Sequence, residues 1–149
     1  MSIEERTGDL FAQPDLTALA HGCNCAGAMG KGIAPVFKQR WPKMFREYKA
    51  RCADGRFGVG DVFVWRDGAT TVFNLGIKDH WRDDARLEYI ERSVAAMARE
   101  ASALGVTRVG LPRIGAGLGK LAWADVRAAL ERVTAGTGLT LVVVSLPGA

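Results

Sequence analysis

Leu141-Val142-Val143-Val144 decides the fold. Four aliphatic residues in succession leave no polar face, so a strand through them must be covered on both sides, as a central strand of a parallel sheet is by its helices. The rest of the chain agrees. Strand-like clusters at 17–22, 61–65, 71–75, 107–111 and 139–146, with a further one near 3–6, alternate with helical patterns from end to end, which is the signature of a layered α/β domain. Leu87, Ile90, Val94, Met97, Ala98, Ala101 and Leu104 recur at helical spacing opposite Glu88, Glu91, Arg92 and Arg99, and Gly105 supplies a stop. Trp123, Val126, Leu130 and Val133 repeat the pattern ahead of Gly136. Ile33, Val36, Phe37 and Trp41 start a helix that Pro42 breaks or kinks, and Met44, Phe45 and Tyr48 continue in a second short one. The expectation is a three-layer α/β/α sandwich around a mixed, largely parallel sheet, built as one domain over residues 1–149.

Composition narrows the function classes. The 149 residues are 48% hydrophobic and 24% charged, close to the soluble globular average, which excludes disordered and fibrous chains. No apolar stretch approaches the roughly 18 residues of a membrane span, and Met1-Ser2-Ile3-Glu4-Glu5-Arg6 has no signal-peptide pattern. The expectation is a cytoplasmic protein with no membrane partner. Three cysteines, Cys23, Cys25 and Cys52, form an odd set that suits a reducing compartment. With His21 and His80 they lack the spacing of a four-ligand site, so no metal is expected. The net charge of +4 mildly favours an anionic ligand. Lys38, Arg40, Lys43, Arg46, Lys49 and Arg51, opposed only by Glu47, form a basic stretch that reads as a solvated helix face or as a track for a nucleic-acid backbone.

Glycine is the informative residue. Of the 18 glycines, eight fall in two short windows, 22–32 and 110–119. The first reads His21-Gly22-Cys23-Asn24-Cys25-Ala26-Gly27-Ala28-Met29-Gly30-Lys31-Gly32-Ile33-Ala34, between a predicted strand and a predicted helix. A helix start offers free backbone N–H groups and the positive end of its dipole, and glycine lets an anion approach them. The spacing matches neither the dinucleotide fingerprint nor the P-loop. The second window, Leu111-Pro112-Arg113-Ile114-Gly115-Ala116-Gly117-Leu118-Gly119-Lys120-Leu121, occupies an equivalent place. Two such loops leaving the carboxyl ends of strands face one crevice, where open α/β sheets hold their ligands. A diphosphate is the ligand that would use both.

In their order along the chain these segments resemble the macrodomain family, whose members bind ADP-ribose. Gly8-Asp9-Leu10-Phe11 is similar to the family's entry motif, and the resemblance implies that Asp9 accepts a hydrogen bond from the adenine amino group. His21 to Ala34 resembles its first, catalytic loop, and Ile114-Gly115-Ala116-Gly117-Leu118 its second, substrate-binding loop. The ligand-binding set this implies is Asp9, Leu10, Asn24, Met29, Gly30, Gly32, Ile33, Ile114, Gly115, Ala116, Gly117 and Leu118. Asn24 has two readings, a hydrogen bond to the distal ribose or stabilisation of its own turn. Within the family, Met29-Gly30-x-Gly32-Ile33-Ala34 and Leu111-Pro112-Arg113-Ile114-Gly115 resemble the terminal ADP-ribose protein glycohydrolase branch. Lys78-Asp79-His80-Trp81-Arg82 and Leu87-Glu88-Tyr89-Ile90 resemble the antitoxin glycohydrolases that remove ADP-ribose from DNA.

The resemblance makes Lys78 the catalytic residue, one that attacks the anomeric carbon of the distal ribose or otherwise anchors catalysis. An amine does so only when neutral, a form that burial or a neighbouring cation favours, and Arg82 is the candidate neighbour. The protein-directed branch pairs this lysine with an Asp after the second loop, but the matching position here is Gly119. Asp79, Asp83, Asp84 and Asp125 are the carboxylates available to substitute. The implied activity is release of ADP-ribose from protein carboxylates or from a DNA base, by a monomer that needs no cofactor. Its partners are ADP-ribose and ADP-ribosylated macromolecules, DNA among them. Dephosphorylation of ADP-ribose 1''-phosphate, suggested by His21-x-Cys23-Asn24-Cys25, and a non-catalytic ADP-ribose reader are the rival readings within the family; a small α/β domain holding another nucleotide phosphate is the rival outside it.

Overall fold

In the computed structural model, which describes residues 2–148, the strands β1 (Ile3–Thr7), β2 (Ala18–Asn24), β3 (Val62–Asp67), β4 (Thr70–Lys78), β5 (Arg108–Leu111) and β6 (Thr140–Ser145) form one sheet. Its order is β1-β6-β5-β2-β4-β3. All pairs are parallel except β3 against β4. The helices are α1 (Ala34–Arg40), α2 (Pro42–Ala53), α3 (Leu87–Leu104) and α4 (Trp123–Thr134). Among the described residues no helix is long and apolar enough to cross a membrane.

The sandwich follows from how each strand divides its side chains. Along β6, Leu141 and Val143 join the cluster beneath α3 and α4, while Val142 and Val144 join the cluster beneath α1 and α2. Phe73 and Leu75 of β4 likewise face α3, and Val72 faces α2. Removing one such side chain from water is worth roughly 1.5–3 kcal/mol, so the alternation holds both helical layers at once. On α3, Ile90, Val94, Met97 and Ala101 are fully buried, and Gly105 ends the helix in the left-handed region at φ 72°. A side chain there would be strained, which is why glycine stops the helix.

Besides shifts of a residue or two at strand ends, such as β2 running on to Asn24 and β3 to Asp67, three boundaries differ from the sequence reading. Pro42 does break the chain after Trp41, but the second helix runs 12 residues, because nothing interrupts it before Asp54-Gly55. α4 stops at Thr134, two residues short of Gly136, where the Thr134 hydroxyl bonds back to the Leu130 carbonyl at 2.7 Å. β4 extends three residues past Leu75, so that Lys78 is its last residue.

Candidate functional site

Because β1, β2, β4, β5 and β6 run the same way, their carboxyl ends make one rim, and the loops 8–17, 25–33, 79–86 and 112–122 leave from it. At the end of β2 the ladder slips. Cys23 pairs with Gly76, yet Asn24 pairs with Lys78, a bulge that sets Asn24 opposite the lysine. Bulges beside functional sites re-aim side chains in this way. Cys25 N–H then donates to the Lys78 and Asp79 carbonyls, both at 3.0 Å, and seals the first loop to the end of β4.

The first loop is built around Asn24. Its side-chain oxygen accepts from the N–H groups of Ala26 (3.0 Å) and Ala28 (3.3 Å), and its amide donates to the Ala28 carbonyl at 2.8 Å. Turn stabilisation is therefore what this side chain performs, with one amide hydrogen so committed. Tyr48, read from sequence only as a core residue of α2, proves to be the buttress: its buried hydroxyl donates to the Asn24 carbonyl at 2.7 Å and lies 2.9 Å from Asn24 Oδ1. Beyond this knot, the backbone N–H groups of residues 30–33 donate to no protein acceptor among the described residues.

The second loop repeats the arrangement by other means. Lys120 N–H bonds the Gly117 carbonyl (3.1 Å), Leu121 N–H the Gly115 carbonyl (2.8 Å), and Ala85 N–H the Gly119 carbonyl (3.0 Å). The N–H groups of 117–119 have no such partner among the described residues. Leu118, 55% exposed, reaches across to the first loop, where a Cβ on Gly32 would meet its Cδ1 at 3.4 Å. Two facing runs of unpaired backbone donors are what an anion with two phosphates requires.

Of the sequence-derived ligand set, Gly30, Gly32, Gly117 and Leu118 stand exposed on this rim, with Ile33 and Ala116 half-buried beside them. Asp9 is also exposed there, its Oδ1 accepting from the Phe11 N–H at 2.9 Å and capping a short 3-10 turn. Leu10, Met29 and Ile114 are buried, with only 3–4% of their surfaces exposed, and Gly115 is buried with them. These side chains belong to the core, so what Leu10, Met29 and Ile114 can offer a ligand is backbone.

Lys78 is half-buried, with Nζ donating to the Trp81 carbonyl at 3.3 Å. Arg82, the neighbour in sequence terms, is held by the two residues before it. Its guanidinium lies 5.1 Å over the Trp81 ring, and its Nε is 3.4 Å from His80 Nδ1. Asp83 and Asp84 are likewise engaged, Asp83 accepting from the His80 N–H (3.1 Å) and Asp84 lying 4.0 Å from Lys120. Gly119 is closed to any side chain: a Cβ there would sit 2.6 Å from the Gly115 carbonyl oxygen and 2.8 Å from Ala85 Cβ.

Under the first loop, His21 is fully buried, stacked 3.8 Å from the Phe37 ring, with Nε2 2.7 Å from Asn74 Oδ1. Asn74 donates to the Phe63 carbonyl at 3.1 Å, which turns its oxygen toward the imidazole and makes Nε2 the protonated nitrogen. Burial lowers the His21 pKa to about 4, so the ring is neutral at pH 7. Burial also pushes the Cys25 thiol up to about 12 and raises Cys23 and Cys52. None of the three is a thiolate nucleophile at neutral pH. Among the described residues no group of three or more His, Cys, Asp or Glu side chains is placed to hold a metal.

Residues 20–130 match the Macro domain model. The chain is 39% identical over 124 residues to a Mycobacterium tuberculosis protein named DNA ADP-ribosyl glycohydrolase, covering 80% of this chain but 35% of that one. It thus spans about a third of that relative's length. It is 31% identical over 142 residues to the human ADP-ribose glycohydrolase OARD1, covering 93% of this chain and 88% of the human protein. Its backbone superposes on the macrodomain of M. tuberculosis DarG with a TM-score of 0.89 at 34% identity, over 96% of this chain and 97% of the other. With two glycine loops facing one another on the rim and this breadth of similarity, the chain belongs to the macrodomain family.

Proposed function

We propose that this chain binds ADP-ribose across the rim and hydrolyses its bond to a nucleobase in DNA, with Lys78 as nucleophile. The observation that carries the binding is the pair of unpaired N–H runs at 30–33 and 117–119, set where a diphosphate spans β2 and β5. Asp9, near the β1 end of the rim, is then the adenine contact, and Lys78, at the β4 end, meets the distal ribose. Its Nζ lone pair forms a bond to the anomeric carbon while the glycosidic electron pair leaves on the base, which takes up a proton. Water then cleaves the lysyl-ribose bond and restores the amine.

Gly119 favours a base over a protein carboxylate as the partner. The protein-directed branch places its acid/base Asp here, and the packing of Gly115 and Ala85 against Gly119 leaves no room for one. The branch directed at DNA, which the segments at 78–82 and 87–90 resemble, does without that Asp. The names of the mycobacterial relatives support the same choice. We further read the unit as a monomer in a reducing cytoplasm, in keeping with three free thiols. The deciding experiment incubates the protein with thymidine-linked, glutamate-linked and serine-linked ADP-ribose and with ADP-ribose 1''-phosphate. Release of ADP-ribose from the thymidine link fastest is expected. Faster release from glutamate, phosphate release alone, or binding with no turnover would each contradict it.

A further inference from the structure

We infer that the outer face of α1 and α2 carries the sugar-phosphate backbone of a single DNA strand, the strand whose modified base is presented to Lys78. This rests on the DNA-directed reading above. Residues 31–51 hold seven cations and one acid, a net +6, whereas the whole chain carries +4, so the rest of the molecule is net negative. The one acid is not free to neutralise the face. Glu47 pairs with Arg51 at 3.0 Å and with Arg56 at 3.7 Å. Lys38, Lys43, Arg46 and Lys49 are exposed and have no carboxylate partner among the described residues.

Shape points the same way as charge. Between α1, α2 and the first glycine loop runs a groove of about 540 Å³ lined by Pro35, Pro42, Phe45, Lys38 and Arg46, with Lys38 Nζ 4.3 Å over the Phe45 ring. It begins at Met29 in the first glycine loop, the loop that the bulge fastens beside Lys78. Cations interleaved with an aromatic floor are how single strands are held, phosphates on the charges and base or sugar faces on the apolar surface. The groove therefore opens off the same loop whose start is paired with Lys78. A second groove, about 560 Å³ beside β3 and α3, also has arginines. Its Arg56 is already paired with Asp54 at 2.8 Å and with Glu47, and Asp61 lines it too, so it attracts a polyanion less.

The test measures fluorescence anisotropy of a labelled, unmodified 12-nucleotide oligo-dT over a series of salt concentrations. It compares the wild type with Lys38→Glu/Arg46→Glu and with Arg66→Glu/Arg99→Glu, a pair of exposed arginines on the β3 and α3 side that changes net charge equally. The groove variant should bind at least tenfold more weakly, with its salt slope reduced by about 1.4, the value for two lost phosphate contacts to a single strand. The control pair should lose less than threefold. Equal weakening by both, no weakening by the first, or oligo-glutamate of the same charge competing as well as the oligonucleotide would overturn the inference. Thymidine-linked ADP-ribose as a mononucleoside should be cleaved by the groove variant at the wild-type rate, and loss of that rate would also overturn it. If the wild type cleaves no mononucleoside at all, the hydrolase reading fails, while the anisotropy result still decides the surface.

Discussion

His21 and Gly119 each hold one property of the site in a single residue. The imidazole is buried and neutral, whereas in the unfolded chain it titrates near 6.5. A folded pKa lying below the unfolded one means that stability is full above about pH 6.5 and is lost as the pH falls toward 4. At 1.36 kcal/mol per unit, this histidine accounts for a loss of about 3 kcal/mol over that window. Urea denaturation at pH 7, 5.5 and 4 should show the decline, and His21→Gln, which keeps a donor toward Asn74, should flatten it. An unchanged pH dependence in the variant would show that the acid sensitivity comes from elsewhere. Gly119 is a packing constraint, since a methyl group there overlaps backbone as well as Ala85. Gly119→Ala should cost about 1–3 kcal/mol of unfolding free energy, and Gly119→Asp should lose stability without gaining activity on glutamate-linked ADP-ribose. From the sequence alone Gly119 reads as a missing carboxylate; that the position cannot accept one depends on how the loop folds the Gly115 backbone against it and on Ala85, 34 positions away, and no local pattern reports such contacts.

Among the elements, the first loop depends on α2 more than on α1. Asn24 folds the loop and Tyr48 clamps Asn24, so the turn on the rim is held from below by α2. Tyr48→Phe removes a buried hydroxyl that donates to the Asn24 carbonyl, which should cost about 1–2 kcal/mol. It should also weaken ADP-ribose binding several-fold by loosening residues 25–33, as read by calorimetry; unchanged affinity would mean that the loop holds its shape without the clamp. The elements were largely legible because apolar spacing on α3 and the unbroken aliphatic run of β6 have one physical solution each. The end of β4 was not. Gly76, Ile77 and Lys78 continue the strand because Gly76 pairs with β2 and its N–H bonds the Asp61 carbonyl, a tertiary constraint on a stretch whose local composition reads as a turn. The bulge at Asn24 has no sequence signal at all, although it is what sets that residue opposite the lysine.

Taken as one molecule, the protein packs two unlike clusters on the faces of one sheet. The cluster under α3 and α4 is almost wholly aliphatic, with Phe73 its one fully buried aromatic, while the cluster under α1 and α2 gathers Phe37, Trp41, Tyr48, Phe57 and Phe63 along with the buried polar group at His21. The first loop and the chain's excess positive charge lie with the second cluster, while Ile114 of the second loop packs into the first, so the rim draws on both. The rim itself was legible from two glycine windows following strands, since the parallel sheet leaves them only one edge to share. Which members of those windows face solvent was not, because Met29 stands next to the exposed Gly30 and Ile114 next to the half-buried Arg113, yet both turn into the core. The central claim is that ADP-ribose gripped by those windows is cleaved by the amine at the end of β4. Its most direct test is the rate at which Lys78→Ala releases ADP-ribose from thymidine-linked substrate, measured alongside its affinity for free ADP-ribose. Turnover should vanish while affinity stays within a few fold of wild type; turnover that persists would contradict the account.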